Sequence, residues 1–258
     1  MPLVDHIREL RRRLLVSALA VLVGVCICYG LWDPLFHFLR RPYCDAHPQG
    51  GCSLIVTGPF DQFNTRLRIA FIGGVIATAP LWLYQLGAFI TPALHKHERR
   101  YAGGFLLGAL ALFAGGITLG FLSVGHGLKI LLHVAGPDVH SLLTLDKYFS
   151  FLTLMLLLFG IAFEFPVVVV FLNLTGLLTL ERMLRWQRGM VFLLFLAAAV
   201  LTPSTDPFTF LFLGAALTVL WELCVAVAWV RSRRRLRTAP PELDPDEPSV
   251  IDATPSKI

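Results

Sequence analysis

Carboxylates set among guanidinium groups are the chemistry this sequence offers. Glu98 stands in the turn Leu94-His95-Lys96-His97-Glu98-Arg99-Arg100, and Glu9 stands in His6-Ile7-Arg8-Glu9-Leu10-Arg11-Arg12-Arg13. A planar guanidinium makes two parallel hydrogen bonds to one carboxylate, whereas an ammonium offers a point charge. Two separated acids are therefore suited to two arginines of a ligand, although each also balances its own basic neighbours. Glu164 is a different case, because it interrupts an apolar run. A charged carboxylate at bilayer depth costs about 2.5–3.5 kcal/mol, so this one is expected to face protein or water. Pro166 removes the N–H that would bond the Ala162 carbonyl and kinks the helix. Together they predict a polar notch. Gln85 is a milder polar group of the same kind. Glu222 interrupts the last apolar run and is expected to face the helix bundle. Asp206, in Thr202-Pro203-Ser204-Thr205-Asp206-Pro207, serves either as a cap for the helix that follows or as a functional acid.

Other chemistries are missing. His95 and His97 are spaced like a metal pair, but no further ligands accompany them, so no metal site is expected. No histidine lies deep in an apolar run opposite a serine nucleophile, and no glycine-rich phosphate loop is present. Neither metal binding nor hydrolysis is therefore expected of these residues, and no catalytic residue or cofactor is assigned.

The elements that must position these residues are membrane helices. Mean hydropathy is +0.70, and 56% of residues are hydrophobic against 15% charged, more apolar side chain than a soluble monomer of this length can hide. Six spans are expected, at about Leu14–Trp32, Leu67–Ile90, Tyr101–Val124, Tyr148–Thr175, Trp186–Leu201 and Phe208–Val230. The first is too long for a signal-peptide core and is read as retained. The net charge of +5 does not signal nucleic acid, because the basic residues cluster at the ends of apolar runs. Arg8 to Arg13, Lys96 to Arg100, Arg182 to Arg188 and Arg231 to Arg237 all fall on one side of a six-span chain. The positive-inside rule places that side, with both termini, in the cytoplasm. Thr91-Pro92 is expected to break the second span. Span five is about 24 Å long at helical rise, short of a hydrocarbon core of about 30 Å.

Residues 1–13 form a cytoplasmic segment, 14–230 the membrane domain, and 231–258 a tail rich in proline and acids that is expected to be disordered. Two outer loops, 33–66 and 125–147, carry candidate interfacial helices at Asp33–Leu39 and Leu128–His133. Cys44 and Cys52 flank His47, Pro48, Gly50 and Gly51, which turn the chain back on itself. On the oxidising side of a membrane they are expected to form a disulfide.

The block Ala79-Pro80-Leu81-Trp82-Leu83-Tyr84-Gln85-Leu86-Gly87-Ala88-Phe89-Ile90-Thr91-Pro92-Ala93-Leu94-His95-Lys96-His97-Glu98-Arg99-Arg100 closely resembles a motif of the TatC family of twin-arginine protein translocase subunits. His6 to Leu14, Phe163-Glu164-Phe165-Pro166, and Leu201-Thr202-Pro203 with Asp206 resemble three further family blocks in the family's order, so that the likeness covers roughly residues 5 to 230. The resemblance implies an all-α, six-span concave bundle in the inner membrane of a prokaryote, several copies per complex, and no enzyme activity. It implies that Glu9 and Glu98 read the paired arginines of a folded cargo's signal peptide, with Phe89 and Arg11 beside the site. It further implies that Glu164 and Gln85 line a face contacted by single-span TatA and TatB subunits, that the outer loops form a cap, and that the proton-motive force drives export. Phe121-Leu122-Ser123-Val124-Gly125-His126 departs from the aromatic and Phe-Pro that the family carries there. A small secondary transporter with Glu164 as its ion or proton site is the alternative, although no matched halves with paired broken helices support it.

Overall fold

Backbone groups inside lipid must bond within their own segment, so long apolar runs coil into helices. The computed structural model describes residues 3–46, 52, 54–90, 102–135, 144–202 and 207–238. Its helices are α1 (Leu3–Gly30), α2 (Trp32–Leu39), α3 (Arg41–Ala46), α4 (Asp61–Ala77), α5 (Ala79–Ile90), α6 (Ala102–Ala135), α7 (Leu145–Ala162), α8 (Phe165–Leu174), α9 (Leu180–Leu201) and α10 (Pro207–Thr238). Strand-like pairing among the described residues is confined to one bridge between Ile55 and Thr144. Stretches within α1, α6, α7 with α8, α9 and α10 are long and apolar enough to cross a membrane, and the bent pair α4–α5 makes a sixth. The six-span all-α reading therefore stands.

The differences lie at breaks and ends. Span two is not one straight helix; α4 and α5 meet at 54°. Pro80 has no N–H for the carbonyl one turn back, and the chain turns at Thr78. There the Thr78 hydroxyl donates to the Gly74 carbonyl at 2.7 Å, and the Trp82 indole N–H donates to the Val75 carbonyl at 3.0 Å. Side chains thus satisfy carbonyls at the break. Span three does not stop near Val124: α6 continues to Ala135 and takes in the run Leu128–His133 that was expected to be a separate interfacial helix. Nothing in that run ends a helix, and a helix longer than the hydrocarbon core is free to extend into the interface. Span five begins at Leu180, so its helix is longer than the apolar stretch from Trp186 suggests. The segment Thr91-Pro92 lies outside the described residues, as do Asp206 and residues 239–258. Residues 231–238, expected to belong to a disordered tail, instead continue α10 as helix, since no proline interrupts the chain before Pro240.

The core is built on α7. Tyr148, Phe149, Leu152, Met155, Leu156 and Phe159 are almost completely buried, between α6 on one side and α4 on the other. At the end of the bundle that carries α2 and α3, Tyr43 packs on Tyr148 with ring centroids 5.5 Å apart, and the Tyr148 hydroxyl donates to the Leu39 carbonyl at 2.9 Å. Arg68 bonds Asp146 at 3.0 Å across α4 and α7. Cys44 and Cys52 are bridged, with Cα atoms 4.9 Å apart.

A close crossing sets the spacing of the first helices. α1 meets α4 through Gly24 and Gly74, where a Cβ on Gly74 would stand 2.5 Å from the Val25 backbone nitrogen. Only glycine lets the two backbones approach so closely. That contact fixes where the first turns of α1 lie relative to α5.

Candidate functional site

Glu9 and Arg13 lie one turn apart on α1, acid first, which is the favourable order for a helical ion pair. Arg13 donates to Glu9 Oε1 from Nη2 at 2.6 Å and from Nε at 3.0 Å. Its Nη1 also donates to Gln85 Oε1 at 3.3 Å, reaching α5. The bend at Thr78 allows this, because it tilts α5 toward the beginning of α1; those two helices pack directly. Glu9, Arg12, Arg13, Val16 and Gln85 line a cavity of about 280 Å³. The ion-paired side chains are partly solvated, Arg13 being 25% and Glu9 31% exposed. Phe89 lies one turn beyond Gln85 on α5 and is half-buried. Arg11 is exposed and takes no part in this network. Arg13 is therefore the residue of this cluster that the sequence alone does not single out. Its spacing of four from Glu9 is the signal that points to it.

This arrangement is a partly hydrated carboxylate with an amide and a guanidinium around it, beside a polar cavity. It is built to hold charged hydrogen-bonding groups, and it contains no nucleophile paired with a base. Glu98, His95 and His97 lie outside the described residues. Among those described, no three His, Cys, Asp or Glu side chains are grouped to hold a metal ion.

Glu164 stands at the junction of α7 and α8, with Pro166 in the first turn of α8. The chain passes through in tight turns, Glu164 N–H donating to the Ile161 carbonyl at 3.0 Å and Val167 N–H to the Glu164 carbonyl at 3.0 Å. Glu164 Oε1 is buried without a hydrogen-bond partner among the described residues. Such an atom carries a full desolvation cost unless water or another chain meets it. Gln85, grouped with Glu164 from sequence, bonds Arg13 instead.

Glu222 corrects an expectation. It does not face the bundle; it is exposed on α10, where it accepts from Gln187 Nε2 of α9 at 2.9 Å. The buried stripe of α10 is Leu213, Leu217, Trp221, Cys224 and Ala228, and Glu222 falls off that stripe.

Residues 5–215 match the family model described as Sec-independent protein translocase protein (TatC). The chain belongs to the TatC family. It is 40% identical to the Sec-independent protein translocase protein TatC of Frankia casuarinae over 98% of this chain and 73% of that one. It is 31% identical to the TatC of Aquifex aeolicus over 91% of this chain and 98% of the relative. A solved structure described as a crystal structure of the twin arginine translocase receptor TatC superposes with a TM-score of 0.77 at 31% identity, covering 88% of this chain and all of that one. TatC is a component of a protein translocase, so there is no catalytic residue to seek at Glu9, Glu164 or elsewhere. The secondary-transporter alternative finds no support among these relatives.

Proposed function

We propose that this TatC chain receives the twin-arginine signal peptides of folded proteins at the α1–α5 end of the bundle, through Glu9 together with Glu98. The observation that carries the reading is Glu9 itself: a partly solvated carboxylate lining a cavity with Gln85, on the turns of α1 that also carry Arg8, Arg11, Arg12 and Arg13. The basic surroundings work in favour of selectivity. Arg11, Arg99 and Arg100 repel generic cationic segments and leave only arginine pairs placed to fork onto the acids. Phe89 flanks the apolar part of the peptide.

Both termini lie in the cytoplasm, by the charge asymmetry of the loops, and the membrane is the inner membrane of a prokaryote. Single-span TatA and TatB subunits dock on the face that holds Glu164, whose unpartnered oxygen they or water would satisfy. Several copies of the chain assemble in the working complex, and the proton-motive force drives export. The test is site-specific crosslinking in membranes. A photoreactive group at Phe89 or Gln85 is expected to capture a twin-arginine peptide and not its twin-lysine counterpart. Equal capture of both peptides would remove the reading.

A further inference from the structure

We infer that Arg13 is a placeholder: it occupies Glu9 in the resting protein and must be displaced before a cargo arginine engages that acid fully. The inference rests on the reading of Glu9 as a signal-peptide acid and concerns how that acid is kept until cargo arrives.

The hydrogen bonds show why full engagement requires displacement. Nε and Nη2 of Arg13 both end on Glu9 Oε1, at 3.0 and 2.6 Å. Two donors fill the two lone pairs of that oxygen. A second guanidinium reaches only Oε2, and the two-oxygen fork that favours arginine is closed to it. The pair is more than a routine helical contact, because the same guanidinium also bonds Gln85, 72 positions along the chain. Its release therefore removes a hydrogen bond between α1 and α5 as well as freeing Glu9.

Burial sets the strength of the hold. The two side chains are 25% and 31% exposed, so water and salt weaken the pair and exchange is easy. A fully buried pair would strand a charge when broken and would not exchange. The cavity of about 280 Å³ against Glu9, Arg12, Arg13 and Gln85 gives the arriving group a place beside the group it replaces. In the resting protein Glu9 is neutralised and oriented, and a stray cation gains little there.

A double-mutant cycle tests this, using the full-length protein in detergent and a synthetic twin-arginine peptide. Arg13→Gln is expected to bind the peptide about two- to fivefold more tightly, the worth of a partly exposed ion pair. In a Glu9→Gln background the same change is expected to produce no tightening, because nothing remains to be uncovered. Tightening of equal size in both backgrounds would mean that Arg13 only repels the peptide by its charge, which overturns the inference. Weaker binding by Arg13→Gln would make Arg13 a positioning residue and would overturn it too. Arg13→Lys covers the case in which Arg13→Gln inserts poorly: it keeps the charge, gives up the fork, and is expected to tighten binding about twofold. Unchanged affinity there counts against the placeholder. If Glu9→Gln alone leaves affinity untouched, the reading of Glu9 fails, and that failure is separately visible.

Discussion

Gly74→Ala probes how the site is held in place. The added Cβ would lie 2.5 Å from the Val25 backbone nitrogen, 2.8 Å from Val25 Cγ2 and 2.9 Å from the Gly24 carbonyl carbon. Two of these three atoms are backbone, so rotating a side chain does not relieve the clash. α1 and α4 must separate by about 1 Å to restore ordinary contact. Overpacking of this kind costs about 1–3 kcal/mol. The shift is carried along α1 to Arg13, about 16 Å from Gly24 at helical rise. There the Arg13–Gln85 bond is already 3.3 Å long, and it has little room to lengthen before it is lost. Thermal unfolding in detergent is expected to show a lowered midpoint, and twin-arginine peptide binding is expected to change with it. Gly108→Ala is the control, since a Cβ there meets nothing within 4 Å, and a helical Gly→Ala change at an open position is neutral to stabilising by up to about 1 kcal/mol. Gly74→Ala melting together with Gly108→Ala would refute the close crossing and the positioning argument built on it.

Other contacts make predictions of their own. Trp82→Phe keeps a ring against Phe113, now 5.3 Å away edge-on, but leaves the Val75 carbonyl without its indole donor, at a cost of about 1–3 kcal/mol. Spin labels at the exposed Leu67 and Leu86 are expected to show a broader distance distribution across the bend; an unaltered distribution would mean the indole does not hold it. Glu164→Ala is expected to keep normal protein levels while weakening partner association or export, and normal export would defeat a functional role for that acid. Alkylation without reductant, followed by intact-mass measurement, is expected to leave Cys44 and Cys52 unmodified because they are bridged. Two alkylated loop cysteines would contradict this.

The spans are legible in the sequence because lipid allows one solution for a long apolar run, and the family is legible because four motifs fall in one order. The bend at Thr78 leaves a local mark in Pro80, but hydropathy runs straight through it. Gln85 shows the limit more sharply. Its bond to Arg13 depends on the bend and on the glycine crossing of α1 and α4 together, and neither is a property of the residues around Gln85. Glu222 goes against its sequence context, because an acid within an apolar run points to shelter inside the bundle. A neighbour on α9, Gln187, bonds it at an exposed position instead. Arg13 is hidden among Arg8, Arg11 and Arg12, where charge counts toward topology and only the spacing to Glu9 singles out one residue.

Cargo recognition turns on which residues read the paired arginines. The direct measurement is the affinity of a twin-arginine peptide for the Glu9→Ala, Glu98→Ala double variant, alongside wild-type protein and a twin-lysine peptide. Each lost charge-assisted contact is worth about 1.5–3 kcal/mol, so the double variant is expected to bind the twin-arginine peptide at least tenfold more weakly while inserting normally. Wild-type protein is expected to bind the twin-lysine peptide poorly from the outset. Unchanged affinity of the double variant for the twin-arginine peptide would contradict the account, because the arginines would then be read at some other surface.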